Sequence, residues 1–343
     1  MNTQMIRRPV AGLLAAAALV FGAGAAAAQT APSAPTAAEV AATLGRGVNV
    51  LGYDPIWSNP ARARFKADTF KLIHDGGFST LRVNLQAMAH MNADNQLDPQ
   101  WLSTLDWVVS QAKAAGLNVI IDEHDYEVCA KDLEGCRPKL LAFWSQIGAR
   151  YKDEPSSVLF EILNEPNGQL TPETWNALLV QGLGVIRQTN PTRTVVIGPA
   201  FWNSMDHLAD LRLPADDNHI LVTVHYYLPM TFTHQGASWV ASTKNLSGVN
   251  WGTPDDQAWL ETNFDRIAAW SKANNRPVFL GEFGAYEGGE MAARARWDAA
   301  VARTAEAHGL PWAYWQFDSN FVVYDLDHHE WIAPIHKALI PGS

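Results

Sequence analysis

Cysteine is nearly absent: the 343 residues contain two, Cys129 and Cys136. That is too few for a structural zinc set, and no clustered His pair completes one. The two lie seven apart around CAKDLEGC, and in an oxidising compartment they are expected to staple one polar loop as a disulfide. Basic residues are also scarce, 25 Lys and Arg against 35 Asp and Glu, for a formal charge of −10. Such a surface repels phosphate backbones and anionic lipid, so neither nucleic acid nor membrane is an expected partner, and a neutral or cationic substrate is. No G-x-G-x-x-G or Walker turn follows any apolar run, which argues against nucleotide-binding sheets. No repeat, second module or low-complexity appendage interrupts the chain, and a single, monomeric domain is expected.

The N-terminus carries Arg7 and Arg8, an apolar stretch over 10–21 and a run of small residues ending at Ala28. A charged region, an apolar region and a small-residue cleavage site read as a signal peptide over 1–28, with a secreted or periplasmic destination. A membrane anchor would need about 20 spanning residues, and Gly12, Gly22 and Gly24 weaken that reading. Residues 29–45, rich in Ala, Pro, Ser and Thr, are expected to form a flexible lead-in to a domain over 46–343.

Eight short apolar runs read as strands, at 47–52, 79–84, 117–124, 157–164, 194–199, 220–227, 277–282 and 311–317. Helical patterns lie between them at 60–74, 99–115, 138–151, 172–188, 254–274 and 289–308, several opening on Pro near the first turn. Near-continuous apolar strands alternating with helices imply a parallel sheet covered on both faces. Eight units predict an α/β fold of the closed (β/α)8 TIM-barrel type.

In such a barrel the site lies at the C-terminal strand ends, so polar residues that close apolar strands come first. Six of the eight candidates end that way: Arg82 and Asn84; Asp122, Glu123 and His124; Asn164 and Glu165; His225 and Tyr227; Glu282; Trp315 and Gln316. Glu165 and Glu282 can face each other across the mouth as the acid and carboxylate that glycoside cleavage requires. Arg82 and Tyr227 can keep Glu282 ionised, and proximity to that charge would raise Glu165. Glu161 shares the strand phase of Glu165 and is expected to make a buried hydrogen bond below the site. Asp122, Glu123 and His124 could be read together as metal ligands, but neighbouring strand residues point to opposite faces, so at most two reach the mouth. No metal is expected.

The runs FEILNEPNG (160–168), VHYY (224–227) and LGEFG (280–284), with a late barrel Trp, resemble glycoside hydrolase family 5 across about residues 46–340. The resemblance implies a retaining double displacement with Glu165 as acid/base and Glu282 as nucleophile, supported by Arg82, His124, Asn164, His225, Tyr227 and Trp315, with no cofactor. Retention would set the two carboxyl groups about 5–5.5 Å apart.

Of the fourteen tryptophans, Trp107, Trp144, Trp175, Trp259, Trp270 and Trp297 fall in helical patterns and read as packing residues. Trp57, Trp202, Trp239, Trp251 and Trp315 fall at strand ends or in following loops, where a flat ring can stack on a sugar. Trp315, then Trp202, are the foremost platforms; Trp57 is balanced between a subsite and the core. The family resemblance favours an endo-β-1,4-glucanase, with a β-mannanase, an exo-acting β-glucosidase or a β-1,3-glucanase as relatives' alternatives. The tail WQFDSNFVVYDLD, through Asp318, Asn320 and Asp325, could narrow one end of the cleft. A non-catalytic sugar-binding barrel would require a lost carboxylate or arginine, and none is lost.

Overall fold

The computed structural model describes residues 34–342, with positions 1–3, 5, 9, 11 and 12 before them. But for those few positions, the expected leader and residues 29–33 lie outside the described residues. The chain divides into units of 1–34 and 35–343, and the second carries the fold. Eight strands close into one parallel barrel in sequence order: β1 (Arg46–Val50), β2 (Thr80–Leu85), β3 (Asn118–Glu123), β4 (Val158–Glu161), β5 (Val195–Ile197), β6 (Ile220–Tyr226), β7 (Val278–Phe283) and β8 (Trp312–Tyr314). The last pairs with the first. This is the expected (β/α)8 TIM barrel, with one abbreviated unit: only a four-residue turn and a 3-10 helix join β5 to β6. Among the described residues no helix is long and apolar enough to cross a membrane.

Three of the outer helices start where proline signalled them. Pro99, Pro172 and Pro254 each open a helix whose preceding residue, Asp98, Thr171 or Thr253, accepts a backbone N–H of the first turn. Proline has no N–H to leave unsatisfied there, and the side-chain oxygen caps one that would be. Trp144, Trp175 and Trp297 bury one face of their helices, as expected, but Trp259 stands 42% exposed on the helix Pro254–Asn274.

The two-residue period of a strand sorts the barrel interior into levels. Ile120, Leu159, Val196, Leu221, Phe279 and Ala313 make an apolar floor. Two residues further on, β3 and β4 present Asp122 and Glu161 instead, both buried. The floor is closed from beneath by a helix, Ala37–Leu44, whose Ala37, Val40, Ala41 and Leu44 join the same cluster. Thr36 and Glu39 form a reciprocal capping box at its start. This corrects the expected flexible lead-in. The small residues that suggested a linker are those that fit the narrow end of a barrel, and Val40 and Leu44 anchor them.

Other boundaries also moved. The regular ladder of the expected strand at 157–164 ends at Glu161, although the Ile162 and Asn164 N–H groups still donate to the Val196 and Glu123 carbonyls of the neighbouring strands, and Glu165 lies just beyond. Cys129 and Cys136 are bonded, Cα atoms 4.9 Å apart. They join two helices, Tyr126–Lys131 and Leu133–Arg150, rather than closing an irregular loop. The tail after β8 folds into a small antiparallel pair, Tyr324–Asp325 with Glu330–Trp331. Arg64 ties that tail down through Asp318 at 3.2 Å and Asp327 at 3.3 Å.

Candidate active site

Arg82, fully buried on β2, organises the polar level above the floor. Its Nε and Nη2 donate to the two oxygens of Glu161 at 2.7 and 2.8 Å. Nη1 donates to Glu282 at 2.6 Å and to Asn49 at 2.9 Å, and Nη2 also donates to Asn164 at 2.8 Å. All five guanidinium N–H groups are thereby used, in the planar fork geometry that lysine lacks. Asp122 adds an ion pair at 3.2 Å. Glu161 therefore occupies the buried supporting place expected for it.

Above this layer stand the two glutamates. One oxygen of Glu282 accepts from Arg82 and the other from the Tyr227 hydroxyl at 2.8 Å. Glu165 meets His225, whose Nδ1 lies 2.7 Å from its Oε1 and 3.5 Å from Glu282. A carboxylate oxygen from each glutamate and a His225 ring nitrogen all lie within 4.8 Å of one another. Three such groups can in general hold a cation. Here both Glu282 oxygens are engaged by Arg82 and Tyr227, and the guanidinium charge lies against one of them, which opposes a second cation.

Two backbone details bring these groups together. The ladder between β6 and β7 shifts register between Val224 and His225, so that His225 sits opposite Glu282. Gly281 leaves the room: a Cβ there would lie 2.5 Å from the Thr223 hydroxyl and 3.0 Å from His225 Nε2. Glu165 itself has a left-handed backbone, φ 41°, an uncommon conformation for a residue with a side chain.

The glutamates differ in environment. Burial first, and then the charge of Glu282, hold the Glu165 carboxyl well above the usual range. Burial also raises Glu282, but Arg82, His124 and the Tyr227 hydroxyl pull it back. Burial, with Arg82 and His124 nearby, holds His225 well below its ordinary value, so its ring is neutral. The pair can thus keep a proton on Glu165 while Glu282 is ionised.

His124 Nδ1 donates to Asp122 at 2.6 Å, its Nε2 faces the Asn164 amide at 3.2 Å, and its ring stacks on Trp315 with centroids 5.6 Å apart. Two of the three consecutive polar residues at the end of β3, Asp122 and His124, thus join the cluster. Glu123 is buried outside it and raised well above the usual range by burial and then Asp125. Trp315 is 9% exposed, with Tyr53 edge-on to it at 6.5 Å. Trp202 is 52% exposed on the β5–β6 connection and Trp239 is 53% exposed beside Tyr286. Trp57, which the sequence leaves balanced between a subsite and the core, donates its indole N–H to the Leu51 carbonyl at 2.8 Å and packs, half-buried, on Trp101. Another tryptophan departs from expectation. Trp251 is buried in the core instead of lining the mouth.

Sequence reasoning missed Asn49, which accepts from both Arg82 and Asn84. A lone polar residue inside the apolar run GVNVLG was its signal. It also missed Asn203, whose amide meets His225 Nε2 at 3.2 Å, and no sequence pattern marks it.

The profile of the cellulase family, glycosyl hydrolase family 5, matches residues 39–321. Among curated proteins, Endoglucanase H of Acetivibrio thermocellus is 29% identical over 326 residues, covering 91% of this chain and 34% of that protein. The chain spans about a third to a half of the length of the first curated relatives it matches. Two solved structures of Thermotoga maritima Cel5A superpose with a TM-score of 0.84, covering 89% of this chain and 100% of theirs. One, with mannotriose, is 38% identical; the other, with cellobiose, is 39% identical.

Proposed function

We propose that this chain, which belongs to glycosyl hydrolase family 5, hydrolyses β-1,4-glucan internally by a retaining double displacement. The observation that carries the reading is the pair of carboxyl groups with oxygens within 4.8 Å in unlike surroundings. Retaining enzymes need about 5–5.5 Å, whereas inverting ones leave roughly 6.5–9.5 Å for a water. Glu282, fixed by Arg82 and Tyr227, attacks the anomeric carbon as the glycosidic bond breaks. Glu165 delivers its proton to the departing oxygen, then takes a proton from the water that opens the glycosyl ester. Trp315 and Trp202 offer ring faces to the sugar, and Asn164 and His124 lie between Arg82 and the Trp315 ring.

The relatives named as endoglucanases support a glucan substrate. A mannan is the second reading, favoured by the mannotriose complex of a structural relative. The Cys129–Cys136 bond supports an exported, oxidising location,. Reducing-sugar release from carboxymethylcellulose, barley β-glucan and mannan distinguishes the substrates, and NMR of the first-formed anomer reads the stereochemistry. Glu282→Gln should lower kcat by about 10⁴-fold or more, in line with loss of a covalent nucleophile. Undiminished activity in that variant, or an inverted first product, would sink the mechanism.

A further inference from the structure

We propose that Asn203, on the connection from β5 to β6, is a positioning residue: its amide N–H, donated to His225 Nε2, fixes the imidazole as the Nδ1–H tautomer and so aims one N–H at Glu165. The inference rests on the reading of Glu165 as the acid/base.

A neutral imidazole has one donor nitrogen and one acceptor, and its partners decide which is which. The Asn203 amide lies 3.2 Å from His225 Nε2, and the Glu165 carboxyl 2.7 Å from Nδ1. With the Asn203 N–H pointing at Nε2, that nitrogen must accept, and the ring proton must stand on Nδ1. His124 repeats the arrangement, with the Asn164 amide at its Nε2 and Asp122 at its Nδ1. Both histidines at the mouth thus run amide, imidazole, carboxyl in the same order.

The placement of Asn203 is built rather than incidental. Phe201, Trp202 and Asn203 are left-handed in succession, at φ 58°, 59° and 54°. Such a run persists only where its surroundings over-determine it. The Trp202 N–H donates to the Pro166 carbonyl, one residue from Glu165, and Ser204 bridges to His225. The turn leaves Phe201 and Trp202 at the surface and buries Asn203 completely. Gly198 makes the pocket for the side chain: a Cβ there would lie 2.0 Å from Asn203 Oδ1.

The chemical consequence concerns both steps. An N–H held on Glu165 Oε1 leaves the other oxygen to carry the transferable proton. Once that proton has gone, the same N–H supports the carboxylate that must act as base. Without the amide, the ring can turn its lone pair toward Glu165. The acid form is then favoured, with its proton directed at His225 instead of the glycosidic oxygen.

Two variants of the full chain test this. Asn203→Gly tolerates the left-handed backbone and removes the amide; Asn203→Asp keeps the shape and replaces the donor by an acceptor. NMR of the 15N-labelled histidine rings, with His225 assigned by its own substitution, should find a bare Nε2 in the native protein and a protonated Nε2 in Asn203→Asp. On an aryl β-cellobioside, both variants should lose about tenfold or more in kcat, within the range of general acid–base effects, while KM stays within about twofold. The alkaline limb of kcat should move to higher pH in Asn203→Gly. A native ring protonated on Nε2, or variants with native kcat and pH profile, would overturn the proposal. Full activity in Glu165→Gln would instead remove the acid/base reading and leave the ring tautomer, read by NMR, as a separate result.

Discussion

Arg82 confronts Asp122, Glu161, Glu165 and Glu282 with one positive charge, and all four carboxyl groups are buried or nearly so. Carboxylates packed this closely cannot all ionise, so the protons go where opposing partners are fewest. Glu161 has both oxygens on the guanidinium, and Glu282 has the guanidinium and a phenol; Glu165 faces one neutral imidazole nitrogen. The proposed acid and nucleophile are thus separated by their partners, although both are glutamates. Tyr227→Phe removes the donor on Glu282 Oε2, and losing a hydrogen bond to the charged form raises the carboxyl further. On the proposed mechanism the acid limb of kcat/KM follows ionisation of Glu282, and it should therefore move to higher pH while the alkaline limb stays. A pH profile with an unmoved acid limb would show that the phenol has no hold on Glu282.

Among the elements, those legible in the sequence were those whose burial imposes a period. The barrel strands declare themselves as apolar runs, and the polar residues closing them mark the candidate site. What the sequence could not tell was where pairing stops. Ile162 and Leu163 are as apolar and buried as the strand before them, so the end of β4 at Glu161 leaves no mark in composition. The helix Ala37–Leu44 was misread because alanine-rich sequence suits both a linker and a narrow barrel floor. Asn203 escaped because its contact joins residues 22 apart through a turn with no period at all. The floor helix carries its own test. Leu44 is fully buried, and Leu44→Ala should cost about 2–5 kcal/mol of unfolding free energy through lost burial and a residual cavity. Since the site lies at the other end of the barrel, kcat at moderate temperature should be unchanged. A native denaturation midpoint would show that the helix is not part of the cooperative fold.

The whole molecule responds to pH through groups outside the site as well. Asp298 is completely buried with one oxygen unpartnered, and burial raises its carboxyl to about 8 despite the nearby Arg294 and a hydrogen bond from Tyr314. Its folded value lies above the unfolded one, so the native state binds the extra proton and stability falls as pH rises from about 4 toward 8. Asp298→Asn keeps the shape and removes the ionisation. It should raise Tm by about 3 °C or more at pH 9, and leave it nearly unchanged at about pH 3, where the native carboxyl is largely protonated in both the folded and the unfolded state. Equal shifts at the two pH values would assign the effect to packing.

The helix beneath the floor has a consequence for protons as well as for packing. With apolar side chains sealing that end, the barrel is a blind-ended vessel, and under the proposed function the seated polysaccharide covers the mouth through which the polar layer meets bulk water. The proton complement of the carboxyl cluster is therefore locked in as the chain is seated. A pH jump delivered after substrate has bound should leave the first turnover at the rate of the starting pH, and stopped-flow measurement of the first product released reads it directly. A first turnover already at the rate of the new pH would mean that the vessel leaks.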